Sequence, residues 1–126
     1  MRRKRRVFGL LTLAAATALI TVACGGSGGS YSAAATRRCL ENAGATVRPS
    51  GADYIAQGAS GGGYLVTINS KTLNVSFASN GGEANDLLNE YETIGGNGPE
   101  YRKGNAVLVW DDDPGSDRST VDGCLR

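Results

Sequence analysis

Tyr64-Leu65-Val66-Thr67-Ile68-Asn69-Ser70-Lys71-Thr72-Leu73-Asn74-Val75-Ser76-Phe77-Ala78 holds two alternating runs across a short polar joint. In the first, Tyr64, Val66 and Ile68 point one way and Leu65, Thr67 and Asn69 the other. In the second, Leu73, Val75 and Phe77 alternate with Asn74, Ser76 and Ala78. A period of two is that of strands with one buried face, so the pair reads as a β-hairpin turning at Ser70-Lys71.

Helical signals flank this hairpin. Upstream, Tyr31 to Ala43 reads as a helix with Ala35, Cys39 and Leu40 on its apolar face and Gly44 as its stop. Ala45 to Arg48 reads as a short strand broken by Pro49, and Ala52 to Gln57 is ambiguous. Downstream, Asn80-Gly81-Gly82 breaks the chain. Glu83 to Thr93 then carries Ala84, Leu87, Leu88 and Tyr91 at helical spacing. Glu100 to Lys103, a turn at Gly104-Asn105 and the apolar Ala106 to Trp110 form a second hairpin, with Ala106 to Trp110 central. Asp117 to Leu125 reads as a final helix, with Ser119 and Asp122 in capping-box spacing. The expectation is an α+β domain over residues 31–126: two layers, a mainly antiparallel sheet of about four or five strands, and helices on one face.

The chain starts differently. Arg2 to Arg6 is a basic run, Val7 to Ala23 is mostly apolar, and Cys24 opens the Gly/Ser stretch Gly25 to Ser30. The segment Ile20-Thr21-Val22-Ala23-Cys24 resembles the signal of bacterial lipoproteins, with Thr21 where the family usually has Leu. The Ala/Gly/Arg-rich signal looks actinobacterial. The resemblance covers Met1 to Ser30. It implies a signal peptide over residues 1–23, lipidation of Cys24, and a tether over residues 24–30 that holds a domain clear of the headgroups. Localisation would then be the extracytoplasmic face of the cell membrane, with the membrane itself a partner through the lipid. Two other readings stand beside it: a soluble secreted protein cleaved after Ala23, and an uncleaved short anchor. Arg5-Arg6-Val7-Phe8 also resembles a twin-arginine export motif.

Charge changes along the chain. Of 13 Lys and Arg, five lie in residues 2–6 with no acid beside them, so the remainder holds eight basic and 12 acidic residues, net −4. That acidic remainder offers no footprint for nucleic acid. Cys39 and Cys124 are an even pair near the ends of the domain, and in an oxidising envelope such a pair forms a disulfide.

Candidate chemistry is thin. The chain has no histidine, which excludes Ser-His-Asp and Cys-His mechanisms and His-based zinc sites. Gly58-Ala59-Ser60-Gly61-Gly62 matches a nucleophile elbow in letters only, since a strand rather than a helix follows. Asp111, Asp113, Asp117 and Asp122 have the oxygen chemistry for calcium, but Ser116 stands where that loop needs Gly. Asp53, Glu83, Glu90, Glu92 and Glu100 offer carboxylates for hydrolysis, at separations the sequence does not fix. Among aromatics, Tyr64, Tyr91 and Trp110 fit the core, while Tyr54 and Tyr101 are open. The first expectation is a non-enzymatic interaction module, without a cofactor, engaging an envelope protein or wall polymer. The alternative is a small hydrolase or metal-dependent enzyme built on carboxylates.

Overall fold

The structure, a computed structural model, describes residues 29–50 and 53–126. The signal segment, Cys24 and most of the tether lie outside the described residues. The fold is α+β. One open antiparallel sheet of five strands runs β1 (Thr46–Pro49), β2 (Gly63–Ile68), β3 (Lys71–Phe77), β4 (Glu100–Lys103) and β5 (Ala106–Trp110), in the order β1-β2-β3-β5-β4. Four helices accompany it: α1 (Ala33–Asn42), α2 (Tyr54–Gly58), α3 (Gly81–Ile94) and α4 (Asp117–Gly123).

The hairpin that decides the fold is β2–β3. Its turn is Asn69-Ser70, one residue earlier than the sequence suggests, and both residues have positive φ. A two-residue turn of that kind matches the twist of the flanking strands. Pro49 ends β1 rather than breaking it. β1 is an edge strand, where a residue without an N–H is tolerated. From the ambiguous stretch, Tyr54 to Gln57 enter α2, capped by Asp53, whose Oδ1 accepts from the Ile55 and Ala56 N–H groups at 3.0 and 3.1 Å. The final helix lacks the expected capping box. Its N-cap is Ser116, with no side-chain bond, and Asp122 instead accepts from the Tyr101 hydroxyl at 2.7 Å.

The helices divide between the two faces of the sheet, where the sequence reading put them on one. α1 and α4 cover the face of Val66, Ile68, Leu73, Val75, Phe77, Leu108 and Trp110, with Leu40 and Val121 fully buried against it. α2 and α3 cover part of the opposite face, packing Ile55, Ala84, Leu87 and Tyr91 on Val107. The reason lies in β5, where Ala106 to Leu108 are all fully buried. A strand that is apolar on alternate sides must be covered on both.

Cys39 and Cys124 form a disulfide with a Cα–Cα separation of 5.3 Å, joining α1 to the C-cap of α4. Cys124 is buried in the core on the α1/α4 face, and Cys39 packs half-buried against it. Nearby, Ser32 N–H donates to the Arg126 carbonyl at 2.5 Å and Arg126 N–H to Thr36 Oγ1 at 3.2 Å. The two ends of the domain are thus closed on each other.

Candidate functional site

On the second face, α2 and α3 leave part of the sheet uncovered. Residues Leu65, Asn74, Val109 and Glu100 form one cross-strand row there: Leu65 pairs with Asn74, Asn74 with Val109, and Val109 with Glu100. All four are half-buried. Together with Ile55 and Tyr54 of α2 and Tyr91 and Ile94 of α3, they line an open groove of about 620 Å³. Gly95, Gly96, Asn97 and Asp111 also line it.

The groove exists because α2 is short and α3 ends early. Gly95, at φ 74°, terminates α3, and the loop then runs close beside the end of β5, where the Trp110 N–H donates to the Pro99 carbonyl at 3.1 Å. At Gly98 a Cβ would drive into the Trp110 carbonyl oxygen, so only glycine lets the loop lie this close. The result exposes apolar side chains. Tyr54 is 71% exposed and Ile94 60% exposed, and these are the exposed large hydrophobics among the described residues. Both stand on this groove. Apolar side chains concentrated at one concave site are a binding feature more than a folding one.

The walls are fixed by polar ties. The Tyr91 hydroxyl donates to Asp53 Oδ2 at 2.6 Å and lies 3.4 Å from Ser76 Oγ. Burial pushes the Tyr91 hydroxyl pKa upward, and its bond to Asp53 adds to the shift. The hydroxyl therefore keeps its proton at neutral pH and serves as a donor. Three other polar groups in the groove have no hydrogen-bond partner among the described residues: Ser50 Oγ, the Asn74 amide and the Glu100 carboxylate. Ser50 is only 4% exposed.

The remaining candidates fall elsewhere. Ser60 donates through Oγ and N to Glu83 Oε1 at 2.6 and 3.0 Å, while Ser79 donates to Glu83 Oε2 through Oγ and N at 2.6 and 2.8 Å. The Ser60 and then the Ser79 hydrogen bonds hold the Glu83 carboxyl down at about 2. A carboxylate that weakly basic ties two loops together and is a poor proton acceptor for Ser60. Glu90 and Glu92 lie exposed on α3.

The acidic run is dispersed. Asp111 accepts from the Thr72 hydroxyl and Asp113 from Gly115 N–H, while Asp117 bonds Asn69 and pairs with Lys71. Asp122 takes Tyr101 and pairs with Lys103 and Arg118. Among the described residues, no group of three or more His, Cys, Asp or Glu could hold a metal ion. Tyr64 is half-buried against the α1/α4 core, while Tyr91 and Trp110 are buried. Of the open pair, Tyr54 lines the groove, whereas Tyr101 receives the Trp110 Nε1–H at 3.1 Å.

No local sequence pattern marks the groove. Its members come from β2, β3, β5, α2 and α3, and only the polar interruption by Asn74 and the open Tyr54 hinted at it.

The chain enters the domain at the far end of β5. Asn105, in the β4–β5 turn, donates its N–H to the Gly29 carbonyl at 3.1 Å and clamps Tyr31 through its side chain. Five residues of strand, roughly 16 Å, separate that end from Asp111. Among the described residues, no helix is long and apolar enough to cross a membrane. No protein-family model, curated protein or solved structure matches this chain.

Proposed function

We propose that this protein is a non-enzymatic binding module, anchored by a lipid on Cys24 at the outer face of the membrane, that engages an envelope protein or wall polymer through the groove. The observation that carries the reading is the placement of Tyr54 and Ile94, both exposed and both on the groove. Leaving such side chains in water forgoes about 1.5–3 kcal/mol each relative to burying them. A ligand that covers them recovers part of that. The anchor rests on the lipoprotein-like Ile20-Thr21-Val22-Ala23-Cys24 and the Gly/Ser stretch behind it. The Gly29 contact and the Asp111 side of the groove lie at opposite ends of β5.

The test is a photo-crosslinking amino acid placed at Ile94 of the full-length protein in its own membranes, with Asp86 on the same helix as the control position. The expected result is a discrete adduct from position 94 and none from position 86. Equal or absent labelling at the two positions would sink the binding reading.

A further inference from the structure

The chemistry of the groove narrows what it takes. Its exposed floor and walls are mainly aliphatic, from Leu65, Val109 and Ile94, with Tyr54 as the exposed aromatic ring. Sugar rings are gripped chiefly by stacking on flat aromatic faces, whereas aliphatic pockets suit aliphatic side chains. Along this floor stand the three unpartnered polar groups, Ser50 Oγ at one end, the Asn74 amide in the middle and the Glu100 carboxylate at the other end. The unsatisfied Ser50 hydroxyl is buried beneath the groove, so the Asn74 amide and the Glu100 carboxylate, both half-buried, are the groups a ligand meets. An amide can both donate and accept, as a peptide backbone requires.

Charge gives the ligand a direction. Asp53, Glu100 and Asp111 line the groove, and no Lys or Arg does. Asp53 is already bonded to α2 and Tyr91, and Asp111 to Thr72, which leaves Glu100 as the free anion. Arg48, paired with Leu65, extends the same cross-strand row at the opposite edge of the sheet. From Leu65 to Glu100 the row crosses three strand spacings, about 14 Å, the length of about four extended residues.

We infer that the groove takes an extended peptide, with aliphatic side chains on the Leu65–Val109 floor and a lysine or arginine at the Glu100 end. The inference rests on the binding reading above and names its ligand. Alternate side chains of the peptide fill the apolar floor, the Asn74 amide bonds its backbone, and Glu100 pairs with its cation. Arg48 repels the reverse orientation.

The test is selection from a random decapeptide library on the full-length protein in phosphatidylcholine nanodiscs, with chitotetraose titrated in parallel. The expected binders combine aliphatic residues with Lys or Arg. Glu100→Gln should weaken the best of them about fivefold, and Arg48→Ala should not weaken it. Thermal unfolding of both variants checks that the fold is kept. Binders without a basic residue, affinities indifferent to Glu100, or binding of chitotetraose alone would overturn the peptide assignment. If that happens while position 94 still crosslinks in membranes, the binding reading stands and only its ligand changes. If neither library nor saccharide binds and position 94 yields no adduct, both fail.

Discussion

The Tyr91 hydroxyl donates to Asp53 Oδ2 at 2.6 Å, and this bond fastens the short helix α2 to α3 at the wall of the groove. Asp53 works twice, since its other oxygen caps α2 through the Ile55 and Ala56 N–H groups. A five-residue helix has little stability of its own, so its position depends on such ties. Tyr91→Phe should cost about 1 kcal/mol, and Asp53→Ala, which also loses the cap, about 1–3 kcal/mol. Urea unfolding of the two variants measures this. Equal stability of Asp53→Ala and the parent chain would contradict it.

Glu83 makes the fold sensitive to acid. Hydrogen bonds from Ser60 and then Ser79 lower its carboxyl from 4.5 to about 2. A lowered folded-state pKa means that the unfolded chain binds the proton first as pH falls. The stabilisation is therefore complete above 4.5 and is lost as pH falls toward about 2. Glu83→Gln should lower stability at neutral pH and flatten the acid limb. A denaturation series across that pH range would show an unchanged limb if the contact were idle.

The Cys39–Cys124 disulfide spans 85 residues of sequence and ties α1 to the end of α4. Chain-entropy reasoning gives a closed loop of this length about 4–5 kcal/mol. The double variant Cys39→Ala/Cys124→Ala should lose several kcal/mol by the same reasoning, with its urea midpoint lowered accordingly. Mass spectrometry after alkylation of unreduced, denatured protein should find neither residue modified. Two alkylated positions would contradict the pairing.

Cys24→Ala should move the protein from the membrane fraction to the soluble fraction. Single-chain or protein-only attachment is weak beside a multiply acylated cysteine, so the shift should be large. Unchanged fractionation, with processing insensitive to globomycin, would contradict the lipid anchor.

Much of the fold is legible in the chain. The β2–β3 hairpin and α3 follow from their periods, and β4–β5 from its Gly104-Asn105 turn. The second covered face was also written there: Ala106 to Trp110 is apolar without alternation, the pattern of a strand buried on both sides. α2 was obscured because five residues are too few to show a period, leaving Asp53 as its one signal. The groove was hidden for a different reason. Leu65 and Val109 belong together only through β3, which lies between their strands, and Tyr54 and Ile94 reach them from two separate helices. A long-range juxtaposition of this kind is set by topology, and no local pattern announces it.

The most direct measurement is the yield of crosslinked adduct from position 94, in membranes, when the same chain carries Leu65→Glu. Leu65 is half-buried on the groove floor, away from both hydrophobic cores. A carboxylate there spoils the apolar floor while leaving α3 and its photoprobe in place. The adduct should disappear although the domain stays folded; an adduct of undiminished yield would contradict the groove as the binding site.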